Sequence, residues 1–190
     1  PDQQRDPLGV YGATKAAGEE AVEQVLGGSG RAVILRTSWV YGPVGQNFLR
    51  TMLRLHAIRA ASGDPLTVVA DQVGCPTATT GAHGLAAACW RTITMTSSHS
   101  TELPPILHWS DAGAASWYDF ALAIGELGVE LGLLKRAAMV LPIRTDEYPT
   151  PAVRPHYSLL DCSITQKGLL LRPLHWRTAL AGVMNRARVD

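Results

Sequence analysis

The 190 residues fit one domain, or a larger domain with part of another, and 46% hydrophobic against 17% charged side chains give ample core material. A formal net charge of +1 with no basic run excludes a nucleic-acid or anionic-membrane surface of the usual kind, and the apolar stretches are too short to span a bilayer. Three cysteines far apart (Cys75, Cys89, Cys162) and six histidines without ligand-like spacing argue against a disulfide framework or a zinc site, so a reduced, cytoplasmic protein is expected.

In chain order, Val10, Ala13, Ala17, Ala21, Val22 and Val25 recur at helical spacing, predicting an amphipathic helix that the glycines of "GGSG" (27–30) stop. "RAVILRTS" carries a β-branched run over 32–35, apolar on both faces like a central parallel strand. "YGPVGQN" is a turn-rich loop, and a second helix is expected from about Asn47, with Phe48, Met52, Leu53 and Leu55 on its apolar side. "PLTVVADQ" reads as a strand and "VGCPT" as an irregular loop. Thr79 or Thr80 is placed to cap a third helix, and 94–105 reads as a polar surface loop. "ILHWS" is a short strand, and Ser116 with Asp119 has capping-box spacing for the helix after it. Residues 141–158 are Pro-rich and extended, and Trp176, Leu180, Val183 and Met184 mark a C-terminal helix. Strand and helix alternate, which predicts an α/β fold.

Tyr11 and Lys15 stand four apart, on one face of the first helix. A fixed positive charge beside a phenol favours phenolate, and such a tyrosine can exchange a proton with a substrate oxygen, as carbonyl reduction requires. The bare spacing also suits two ordinary helix residues. The surrounding motifs narrow the reading. "YGATKAAGEE", "RTSWVYG", "GQNF", "DQVGCPT" and "YPTPAVRP" follow one another in an order that resembles the dTDP-4-dehydrorhamnose reductase family, extended short-chain dehydrogenase/reductases, over nearly the whole chain.

The resemblance implies a Rossmann-like part over 1–64 with the catalytic helix, and a mainly nucleotide-sugar-binding part over 65–190 with returning Rossmann elements. It implies NADPH-dependent reduction of dTDP-4-dehydro-L-rhamnose to dTDP-L-rhamnose, with NADH as the alternative cofactor and Mg²⁺ associated with some members. By match, Tyr11 is the general acid and Lys15 orients the nicotinamide ribose, while Ser38 lines the nicotinamide pocket. Trp39 resembles a tryptophan that packs on the deoxyhexose, with a core role as the alternative. Asn47, at a helix start, suits a diphosphate or a plain N-cap. Gln72 resembles a cleft residue, or is a satisfied loop amide. Arg154 suits a bidentate clamp on the diphosphate, or is a solvated arginine.

No Ser or Thr precedes Thr14, and no glycine-rich loop precedes Tyr11. The expectation is therefore the C-terminal part of a longer reductase, partnered by its missing N-terminal half and, as an option, by a second copy. Two rivals remain: a nucleotide-sugar epimerase or dehydratase of the same superfamily, and a non-catalytic homologue resembling the methionine adenosyltransferase regulatory subunit.

Overall fold

The computed structural model describes residues 1, 3–29, 32–97 and 103–187. The first helix, α1 (Val10–Leu26), starts at Gly9 and ends at Gly27, as the sequence predicts. Its packing differs from the expectation. None of its residues is buried, and the half-buried positions are Gly12, Ala16, Glu19 and Glu23, one face at helical spacing. The apolar stripe through Val10 and Val25 therefore points outward, with Val10 83% and Val25 79% exposed.

Charge, rather than apolar burial, ties α1 to the body. The Glu19 carboxylate accepts from Arg36 at 2.6 and 2.7 Å and from Arg5 at 2.8 Å, and Glu23 accepts from Arg5 at 2.6 Å. These guanidinium contacts, Arg36 first, hold the Glu19 carboxyl down at about 2.

Arg36 lies on β1 (Ile34–Thr37), two residues later than the predicted run. There follow β2 (Val40–Tyr41), α2 (Phe48–Ser62), β3 (Leu66–Val69), β4 (Val73–Gly74) and β5 (Thr77–Ala78). Thus "VGCPT" is not an irregular loop: it supplies two short strands, too brief to leave a period in the sequence. α3 begins only at Leu85 and runs to Ser97, so neither Thr79 nor Thr80 caps it, and it takes in the first residues of the expected loop. The centre of that loop, 98–102, lies outside the described residues, as does Gly30. The remaining elements are β6 (Ile106–Trp109), β7 (Ala115–Ser116), α4 (Trp117–Glu130), β8 (Val140–Ile143), a 3₁₀ turn (Thr145–Glu147), α5 (Ser163–Leu169) and α6 (Trp176–Ala187).

The strands pair two by two: β1 with β6, β2 with β5 and β3 with β8 in parallel, and β4 with β7 antiparallel. Parallel partners need long crossovers, and the helices between them supply these, giving the α/β class. The main core joins Leu49, Met52, Phe120, Ile124, Leu180, Val183 and Met184 under β2, β3 and β8, and a smaller one gathers Ala88, Leu107, Trp109, Leu169 and Leu171.

Among the buried polar side chains, His56 and Asp111 are titratable groups held by hydrogen bonds. His56 of α2 is fully buried: Nε2 donates to Ala121 O at 3.0 Å, and Nδ1 accepts from Ala138 N–H at 3.2 Å. Burial holds its pKa below the ordinary value, which keeps the ring neutral. Asp111, just after β6, accepts from Ala78 N–H at 3.0 Å, and burial pushes its carboxyl up to about 7. The nearby Tyr41 hydroxyl is buried without a hydrogen-bond partner among the described residues, and burial, then Asp111, raises its pKa well above the usual tyrosine range.

Candidate substrate cleft and the tyrosine–lysine face

Helix α2 begins where Asn47 caps it. Asn47 Oδ1 accepts from Arg50 N–H at 3.2 Å, and Nδ2 donates to Gly42 O at 3.0 Å and Val44 O at 3.1 Å. The amide is thus fully engaged in holding the turn, as an N-cap should be. One residue on, Phe48 opens the wall of a cleft of about 540 Å³, within the range of small-molecule sites. α2 contributes Phe48, Thr51, Met52, Leu55 and Arg59; β3 and its approach contribute 65–69; Gln72 and Trp117 follow, and Tyr148, Thr150 and Arg154 close the far side.

Trp117 occupies the first turn of α4, fixed there by the Ser116–Asp119 capping box. Trp39 does not line the cleft; it stacks on Trp117, with centroids 3.6 Å apart and planes 8° from parallel. Its backbone is left-handed, φ 50°, uncommon for a bulky residue. Gly74 makes room for its ring: a Cβ there would come within 2.7 Å of the Trp39 indole. The indole that lines the cleft is therefore Trp117, with Trp39 supporting it.

Gln72 is buried, and its Nε2 donates to Thr145 Oγ1 at 3.1 Å. Arg154 is exposed and has no ion-pair partner among the described residues, whereas Arg59 is paired with Asp64 at 3.3 Å. A flat aromatic wall with a free guanidinium suits a ligand that has a ring at one end and an anion at the other.

Tyr11 and Lys15 lie elsewhere, on α1. Tyr11 is 76% exposed, and Lys15 Nζ sits 5.3 Å from the centre of its ring, over the face rather than at the hydroxyl. Ser38, at the end of β1, is half-buried, with Oγ 3.5 Å from Cys75 O. The structure thus brings Gln72 and Arg154 to the cleft and Trp39 behind it, with Asn47 at its rim; Tyr11, Lys15 and Ser38 do not line it. Sequence reasoning did not single out Trp117, Tyr148 and Arg59 for the site. Trp117 had a local signal, an aromatic residue directly after a capping-box serine. Among the described residues, no group of three or more His, Cys, Asp or Glu is placed to hold a metal ion. No described helix is long and apolar enough to cross a membrane.

The family described as the RmlD substrate binding domain matches residues 1–189. The chain belongs to that family. A dTDP-4-dehydrorhamnose reductase of Aggregatibacter actinomycetemcomitans is 38% identical over 177 residues, which cover 93% of this chain and 57% of that protein. A crystal structure of a dTDP-4-dehydrorhamnose reductase from Clostridium acetobutylicum superposes with a TM-score of 0.77 at 32% identity, covering 98% of this chain and 59% of the other. The reductase of Bacillus anthracis in complex with NADP gives a TM-score of 0.73 at 31% identity, covering 97% and 58%. The chain therefore spans somewhat more than half the length of these relatives, and its α/β fold is that of the corresponding part of the reductases.

Proposed function

We propose that this chain is the substrate-holding part of an NADPH-dependent reductase that converts dTDP-4-dehydro-L-rhamnose to dTDP-L-rhamnose. The observation that carries the reading is the cleft between α2 and α4, with its aromatic wall and free Arg154, in a member of the RmlD substrate binding domain family. The thymidine diphosphate lies in this cleft, with Arg154 on the diphosphate and the Trp117–Trp39 stack supporting the ring end of the ligand. Gln72 lines the same wall. The helix start at Asn47 offers N–H groups and a favourable dipole to an anion nearby.

Tyr11 gives its proton to the oxygen of the reduced carbonyl, and Lys15 and Ser38 contact the nicotinamide end of the cofactor. The exposed phenol and ammonium fit a nucleotide arriving from outside the chain. Bound NADPH supplies the hydride. The sequence contains no Gly-x-Gly-x-x-Gly stretch, so the pyrophosphate of the dinucleotide is held by the part of the relatives' length that this chain does not span.

Two measurements test the reading. Calorimetric titration of the chain with dTDP and with NADPH should show binding of the first and little of the second. NADPH oxidation by the longer gene product should require dTDP-4-dehydro-L-rhamnose, and Tyr11→Phe should lower its kcat by roughly 10²-fold or more with dTDP affinity kept. Conversion of the sugar without NADPH consumption would instead make the protein an epimerase. A Tyr11→Phe variant with unchanged kcat would remove Tyr11 from the chemistry.

A further inference from the structure

The segment 146–155 leaves the body after Thr145 and returns at His156, and every residue from 146 to 157 is exposed. Between those points its hydrogen bonds among the described residues stay within the segment and its immediate flank, such as Thr150 Oγ1 to Ala152 O at 3.0 Å and Tyr148 N–H to Thr145 O at 3.2 Å. It is a strap across the cleft, and it carries Tyr148, Thr150 and Arg154 in the cleft wall.

Both ends of the strap are fastened to the stretch 71–73, and Asp71 takes part at each end. At the leaving end, Asp71 Oδ1 accepts from Thr145 N–H at 2.9 Å and from Thr145 Oγ–H at 2.7 Å. At the returning end, His156 Nδ1–H donates to the backbone oxygen of the same Asp71 at 3.1 Å. Val73 N–H donates to His156 O, and Ser158 N–H to Val73 O, each at 2.8 Å. One residue thus holds one end with its side chain and the other with its main chain. The two Thr145 donors also keep the Asp71 carboxyl below the usual carboxylate range, as an acceptor in constant use requires.

We propose that Asp71 is a positioning residue: by closing the base of the strap it sets where Arg154, Tyr148 and Thr150 stand in the cleft, and so governs affinity for the diphosphate-bearing ligand. This rests on the substrate reading above for the identity of the ligand, but not for the fastening itself. The charged group that meets the anion is Arg154; Asp71 acts only through the strap.

Two readouts separate the claims. The Arg144–Thr145 bond is a trypsin site at the pinned end, and cleavage there requires Thr145 to come away from Asp71. In the whole chain, Asp71→Ala and Thr145→Val should speed cleavage after Arg144 about tenfold relative to cleavage after Lys135, while Thr145→Ser, which keeps the hydroxyl, should behave as wild type. In calorimetry with dTDP, Asp71→Ala should weaken binding about fivefold to tenfold, yet add less than about twofold when Arg154 is already Ala, because the two act in series. Unchanged cleavage after Arg144 in both Asp71→Ala and Thr145→Val would overturn the inference, as would losses from Asp71→Ala and Arg154→Ala that simply add. If the wild-type chain fails to bind dTDP while the cleavage pattern holds, the fastening stands and the substrate reading falls.

Discussion

At Gly74, a single absent side chain governs the cleft's aromatic wall. The Trp39 indole and Ser158 Oγ both lie within 2.9 Å of where a Cβ would be. Gly74→Ala should therefore displace Trp39 from Trp117 at a cost of about 1–3 kcal/mol, the usual range for overpacking. Loss of the near-ultraviolet circular dichroism of the stacked indoles, with a lower urea midpoint, would report it. An unchanged spectrum would show that the pair tolerates the methyl. Its motif marked Trp39 as a platform for the sugar, whereas the structure sets it behind Trp117, outside the cleft lining. The stack itself was not legible, because it joins residues 39 and 117 through the fold. Arg154 and Gln72 were read from their motifs in the same way, while the role of Asp71 depends on Thr145 and His156, both distant in sequence.

α1 shows what periodicity can and cannot give an element. The spacing of its small and apolar residues foretold a helix, and a helix forms, but the inward face is Gly12, Ala16, Glu19 and Glu23. Alanine and valine read as core-facing by hydropathy alone, and only the positions of Arg36 and Arg5 decide otherwise. The short strands β4 and β5 and the seven-residue α5 went unread for a different reason: none completes enough of a period to be seen. Because Glu19 bridges two guanidinium groups, Glu19→Ala should free α1 while the cores stay intact. Amide exchange across 10–26 should quicken by an amount equivalent to about 1–3 kcal/mol, with exchange in α4 unchanged. The folded pKa of Glu19 is depressed, so its contribution is complete above the ordinary glutamate value. It is lost as pH falls from there toward about 2. Acid should therefore loosen α1 at pH values where α4 and α6 still protect their amides.

For the molecule as a whole, the buried groups Asp111, His56 and His108 contribute to the pH dependence of stability between the ordinary carboxylates and pH 7. Asp111 binds its proton more tightly folded than unfolded, so its own contribution to stability is complete below about 4 and is lost as pH rises through about 7. Asp111→Asn keeps an acceptor for Ala78 N–H without a charge to desolvate. It should raise the urea midpoint at pH 8 and change it little at pH 4; equal effects at both would place the carboxyl's titration elsewhere. His56 works in the opposite sense: its folded pKa is lowered by burial, so stability falls as pH drops below the ordinary histidine value of about 6.5. Folding therefore moves protons both ways: Asp111 takes one up, while His56 and His108, both kept below the ordinary histidine value by burial, give theirs up. Removing the carboxyl isolates its share. At pH 6, Asp111→Asn should refold with about one proton fewer taken up than the wild type, read from the heats in two buffers of different ionisation enthalpy. Equal heats would place the proton elsewhere; the difference is a calorimetric signature of one aspartate buried behind β5.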